Sequence, residues 1–163
     1  MKIINAGVTA PKGFKCAGLR AGVKSGKTNK DMAMIVSEVP AKIAGTFTKN
    51  IVKAAPVLWG KKIVEEQEAV RAVVINTGIA NACTGAQGYE NVVTEAKEVA
   101  KLLDIKPEEV VVGSTGVIGQ QLPMDVIKEG IKKLVPELKA DRQSEEDASW
   151  AILTTDTKPK EAA

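Results

Sequence analysis

Two valine-rich runs constrain this chain more than any other feature: VRAVVIN at 70–76 and VVV at 110–112. Each ends in a loop of small residues, TGIANACTGAQG after the first and GSTGVIG after the second. Each loop then gives way to apolar residues at helical spacing. Val92, Val93, Ala96, Val99, Ala100 and Leu103 fall on one face of a helix predicted over 89–103. Ile127, Ile131, Leu134 and Val135 do the same further on, with Pro123 in the first turn, where a missing N–H costs little. The apolar run at 70–76 predicts a strand buried on both faces. Strands alternating with helices place the chain in the α/β or α+β class. Its 163 residues suit a single domain, 1–163, whose core needs neither disulfides nor metals.

The remaining segments are read by the same rules. Residues 9–30 are rich in glycine and lysine and predict a loop with short strand pieces. Residues 32–39 and 43–48 read as strands, with Pro40 marking the turn between them. Ser144 and Asp147 read as a capping box opening a third helix that packs Ala148, Ala151 and Ile152. The tail TTDTKPKEAA is polar.

Composition removes several function classes. Aromatics make up 3 % of the chain, too few for a nucleic-acid stacking platform. The net charge is +3, and the 23 basic residues form no block or stripe, so no nucleic-acid partner is expected. No apolar run approaches the roughly 18 residues of a membrane span, and the first residues lack the apolar core of a signal peptide. The expected setting is cytoplasmic, with reduced thiols and no membrane partner. Cys16 and Cys83 match no paired motif and are expected to be small buried residues. The chain holds no histidine. That all but removes a zinc site and fully removes a Ser-His-Asp or Cys-His pair, so no metal is expected.

Strand-end loops are where open sheets place ligands. Three readings of GSTGVIG remain open from spacing alone. A phosphate loop would need GxxxxGK[ST] or GxGxxG, and Gly113, Gly116 and Gly119 fit neither. A plain strand-to-helix turn is the second. The third is an oxyanion hole in which the Thr115 hydroxyl and the Gly116 N–H face negative charge developing on a carbonyl oxygen.

Five stretches follow one another in order: GVTAPKGFKCAGLRAGVK, KDMAMIVSEVPAKIAGTFTKNIVKAAPV, VVINTGIANACTGAQG, VVVGSTGVIGQQLPMD and AILTTDT. Together they resemble the N-terminal (α) portion of the glutamate N-acetyltransferase family, the ornithine acetyltransferases of arginine biosynthesis. The resemblance covers nearly the whole chain. It implies a layered sheet-and-helix sandwich, shared with related self-cleaving aminopeptidase-like enzymes and incomplete without a β chain. It also implies acetyl transfer from N2-acetyl-L-ornithine to L-glutamate; bifunctional members can use acetyl-CoA as donor, and no other cofactor is expected. Family precursors cut themselves before a threonine, which then leads the β chain as nucleophile and supplies its own amine as base. That resolves the absence of histidine. Transfer is ping-pong through an acetyl-threonine, in an α2β2 assembly.

Carried over, the oxyanion pair falls on Thr115 and Gly116. The substrate-binding threonine matches Thr154, with Thr155 one residue off as the alternative; a local helix-end hydroxyl is the bland reading of either. Asn76, Asn81 and Thr84 are expected to shape the pocket, against an equal expectation that they make Asx-type turn bonds. The family usually has asparagine where Ile79 stands. It also continues through a glycine-rich stretch with a binding lysine that is missing here, so Ala163 is expected to be a truncation and not the processed end. Without the nucleophile the chain alone should be inactive, and unpaired strand edges should make it oligomeric or poorly soluble. A hydrolase with water as acceptor and a non-catalytic assembly module are the alternatives.

Overall fold

Side-chain alternation along the strands decides which helix covers which face of this sheet. The computed structural model describes residue 4 and residues 6–66 and 69–163. The elements run β1 (Phe14–Leu19), β2 (Met32–Ala41), α1 (Ala55–Glu66), β3 (Val70–Ile79), α2 (Gly85–Leu103), β4 (Val110–Val117), α3 (Met124–Leu134) and α4 (Arg142–Ala151). The strands form one sheet in sequence order; β1, β2 and β3 pair antiparallel, while β3 and β4 pair in parallel.

Ala17, Met32, Met34, Ala72, Val74, Val110 and Val112 point to one face. There they meet Trp59 and Ile63 of α1, Val92, Ala96 and Val99 of α2, and Ile127, Ile131 and Leu134 of α3. The intervening residues Cys16 and Ala33 point the other way, against Ala148 and Ala151 of α4. Helices on both faces of a mixed sheet agree with the expected sandwich. Among the described helices only α4 packs on the second face, and Val73 and Ile75 remain half-buried there. The expectation of burial on both faces of 70–76 therefore holds for one face and is corrected for the other.

Several local expectations are also corrected. Residues 43–48 form no strand, and β2 runs through Pro40. The register with β3 is broken between Val36 and Ala41, so proline's missing N–H removes no regular ladder bond there. Helix α1 was not anticipated, yet it buries Ala55, Trp59 and Ile63 at four-residue spacing. The Trp59 indole N–H donates to the Val110 carbonyl at 2.9 Å, anchoring α1 to the outer edge of β4. The GSTG segment is strand, because Thr77, Gly78 and Ile79 give it a parallel partner. Helix α2 begins at Gly85, four residues before Tyr89. Pro123 stands at the N-cap position, outside the first turn of α3, and Val135 belongs to the short 3-10 turn that follows. Asp141 caps α4 by accepting from the Ser144 N–H at 2.8 Å, so Ser144 lies inside the helix. Ile152 is 41 % exposed beyond the end of α4. Cys83 is exposed in a loop with φ 58°, whereas Cys16 is buried. At the outer edge of β1 a single bridge pairs Cys16 with Lys139.

Two features set the stability of this frame. Gly116 adopts φ 136°, and a Cβ there would fall 2.3 Å from the Gly78 carbonyl carbon and oxygen. Only glycine lets the parallel strands approach so closely. Gly116→Ala is expected to lower the unfolding free energy by about 3 kcal/mol or more, through backbone strain and overlap, read as a drop in the urea midpoint. The second feature is Glu95 on the buried face of α2. It is fully buried, and neither carboxylate oxygen has a partner among the described residues. Burial pushes its carboxyl up to about 8. Unfolding returns the group to the ordinary range near 4.5, so the folded state holds its proton more tightly. Its contribution is therefore complete below the unfolded value and is lost as pH rises toward 8. Chemical denaturation at pH 5 and pH 7 should show a loss of about 3 kcal/mol from this group. Glu95→Gln should remove most of that dependence.

Candidate active site

Because β3 and β4 are parallel, their C-terminal ends lie side by side, with Thr77 opposite Thr115 and Gly78 opposite Gly116. The Val110 carbonyl faces outward to Trp59. Gly116 departs from regular strand geometry, with φ 136°. Beside these ends sits the loop between β1 and β2, and its anchor is Asp31. The Asp31 side chain is fully buried and accepts from three backbone N–H groups: Ala21 at 2.6 Å, Gly22 at 3.0 Å and Lys24 at 3.0 Å. Burying a carboxylate is costly unless such donors surround it. The Asp31 carbonyl also accepts from the Thr77 N–H at 2.8 Å, and the Thr77 hydroxyl donates to the Ala151 carbonyl at 2.8 Å. One buried run of hydrogen bonds thus joins the loop, the end of β3 and the end of α4.

These segments enclose a cleft of about 560 Å³ that contains Thr115, Gly116, Thr154 and Thr155 together. Thr115 and Gly116 come from β4, and the two threonines from the segment after α4; all four are exposed. Residues separated by some forty positions therefore meet on one rim. Lys24 and Lys27 line the same cleft, and among the described residues no carboxylate does. Partial burial lowers the Lys24 ammonium from the ordinary lysine range, while the Asp31 carboxylate works against that fall. The surroundings suit a ligand that carries or develops negative charge. The cleft holds hydroxyls, N–H donors and two lysines, and among the described residues neither imidazole nor carboxylate lines it. Such a set of groups can stabilise negative charge.

Asn76, Asn81 and Thr84 lie elsewhere. The Asn76 amide donates to the Ile79 carbonyl at 2.8 Å, and its Oδ1 is buried without a partner among the described residues. The Asn81 amide donates to the Gly88 carbonyl at 2.8 Å, and the Thr84 hydroxyl donates to Asn81 Oδ1 at 2.6 Å. The Asn81 N–H donates to the Ser114 hydroxyl at 2.9 Å. These bonds fasten the 79–84 loop to the first turn of α2 and to β4, and none of the three residues lines the cleft. Ile79 does line it.

The two lysines were not anticipated, although AGVKSGKT at 21–28 has nearly phosphate-loop spacing. The structure explains why it is not such a loop. Its amides are already occupied by Asp31, and a strand follows it where a phosphate loop needs a helix. No group of three or more Cys, Asp or Glu among the described residues is placed to hold a metal. No described helix is long and apolar enough to cross a membrane.

Known proteins share this fold and much of this sequence. The ArgJ family model matches residues 15–163. The chain is 47 % identical over 163 residues to the arginine biosynthesis bifunctional protein ArgJ of Streptococcus mutans, covering all of this chain and 39 % of that protein. It is 44 % identical over 162 residues to the chloroplastic ArgJ of Citrullus lanatus, covering 99 % of this chain and 35 % of that one. Among solved structures, the ornithine acetyltransferase of Mycobacterium tuberculosis, in complex with ornithine, superposes with a TM-score of 0.94 at 40 % identity. That match covers 99 % of this chain and 86 % of the solved one. The ArgJ structure from Bacillus halodurans gives a TM-score of 0.90 at 40 % identity, covering 96 % and 81 %. The chain spans a little over a third of the length of the curated relatives it matches. With nearly every residue inside the family match and the fold reproduced throughout, this chain belongs to the ArgJ family.

Proposed function

We propose that this chain is the N-terminal half-site of an acetyltransferase that moves an acetyl group from N-acetylornithine to glutamate, with acetyl-CoA as a second donor in a bifunctional enzyme. The observation that carries the reading is the meeting of Thr115, Gly116, Thr154 and Thr155 in one cleft lined by two lysines and, among the described residues, by no imidazole or carboxylate. A threonine leading the C-terminal portion, the β chain, attacks the acetyl carbonyl and passes its proton to its own amine. The carbon–nitrogen bond breaks, ornithine leaves with a proton, and an acetyl-threonine ester remains. The α-amine of glutamate then attacks that ester and regenerates the hydroxyl. In both halves the carbonyl oxygen becomes negative, and the Thr115 hydroxyl and Gly116 N–H donate to it. Thr154, with Thr155 beside it, holds the substrate.

This division of labour accounts for a chain without histidine. It assigns the base to another portion of the enzyme, and it makes that portion the required partner, in an α2β2 assembly. The family relationship and the half-buried second face of the sheet support such a partner.

The test is reconstitution with the C-terminal remainder that the relatives carry. Acetyl exchange between N-acetylornithine and glutamate should appear only in the reconstituted protein, by ping-pong kinetics. Release of free acetate without exchange would replace the transferase reading with a hydrolase. Thr115→Ala should lower kcat by roughly 10²-fold or more with KM little changed, as expected for a donor that acts in the transition state. An unchanged kcat would remove Thr115 from the oxyanion hole.

A further inference from the structure

Lys24 makes contacts that neither its position in a surface loop nor the proposed chemistry explains. Its backbone N–H is held by Asp31 Oδ2 at 3.0 Å. Its stem then crosses Gly78 so closely that a Cβ on that glycine would lie 2.7 Å from Lys24 Cγ. The ammonium donates to the Lys30 carbonyl at 3.1 Å and to the Leu153 carbonyl at 2.7 Å. Leu153 is 129 positions away in sequence and immediately precedes Thr154 and Thr155. Helix α4 has ended at Ala151, and the Leu153 N–H makes only the local bond to the Trp150 carbonyl, at 3.3 Å. Among the described residues no other side chain bonds to 152–155. The segment bearing both threonines therefore leaves the helix with one long-range tie.

We propose that Lys24 is a positioning residue of this cleft: its ammonium, held over the paired ends of β3 and β4, pins the Leu153 carbonyl and so sets Thr154 and Thr155 against the Thr115–Gly116 rim. A charge-assisted hydrogen bond is about twice as strong as a neutral one, enough to order a short exposed segment. Removing the bond leaves the β3–β4 frame intact and frees the threonine segment. Substrate affinity then depends on Lys24, whereas stabilisation of the oxyanion does not. The proposal rests on the reading of Thr154 as a substrate contact.

Lys24→Met keeps the stem over Gly78 and deletes the ammonium. In this chain, backbone 15N order parameters at 154 and 155 should fall from about 0.85 to below about 0.6, while Val74 and Ala148 stay at about 0.85. Unchanged order parameters at 154 and 155 would overturn the tether. Should Val74 and Ala148 lose order as well, Lys24→Arg decides the matter. It keeps charge and donors, and it must hold the order parameters at 154 and 155 within about 0.1 of the parent; a larger fall there also overturns the tether. In the reconstituted protein, Lys24→Met should raise KM about tenfold and leave kcat within about threefold, the opposite of the Thr115→Ala pattern. A fall in kcat at constant KM would overturn positioning in favour of a direct catalytic role. If the reconstituted parent transfers no acetyl group, the functional reading fails, and the order-parameter measurement still decides the tether.

Discussion

The site depends first on the burial of a single carboxylate. Asp31 is fully enclosed, and an enclosed charge is costly unless hydrogen-bond donors surround it. The donors are the amides of Ala21, Gly22 and Lys24, so satisfying the charge forces the β1–β2 loop to curl over its own strand end. Through its carbonyl the same residue takes the Thr77 N–H, and Thr77 in turn reaches Ala151. The rim is thereby built from segments that share no local sequence. Removal of the carboxylate would leave three amides without their acceptor, and the loop that carries Lys24 would lose its reason to fold there.

The second constraint is the parallel pairing of β3 with β4. Parallel neighbours bring equivalent ends together, so the small residues closing each strand lie next to each other with no connecting loop between them. Gly78 opposite Gly116 permits an approach that side chains would block. The cleft beside this pair carries two lysines and, among the described residues, no acid. Its electrostatics suit the stabilisation of negative charge.

Much of the frame was legible in the sequence. The valine-rich runs, the helical spacing at Val92, Ala96 and Val99, and the stripe Ile127, Ile131, Leu134 all identify elements that burial then confirms. Each pattern is local, because its period is set by the backbone geometry of a single element. The misses share a cause as well. Residues 43–48 have strand composition but no neighbour to pair with, and GSTG has turn composition but acquires a partner in β3. Helix α1 escaped notice because lysines and glutamates crowd it, although Ala55, Trp59 and Ile63 mark its buried face. Ser144 had the composition of a cap, but Asp141 three residues earlier took that place.

The sequence by itself determined the fold class and the lack of any histidine-based nucleophile, which follow from composition and local pattern and need no knowledge of what lies across the sheet. Resemblance to the family, and not spacing, singled out Thr115, Gly116, Thr154 and Thr155 as candidates. Tertiary structure alone decided that Asn76, Asn81 and Thr84 bond within the loop and first turn beside them and do not line the cleft. It alone brought Lys24 to the Leu153 carbonyl. Contacts between positions 129 apart arise from how strands pair and a loop closes over them, and no window of sequence contains that information.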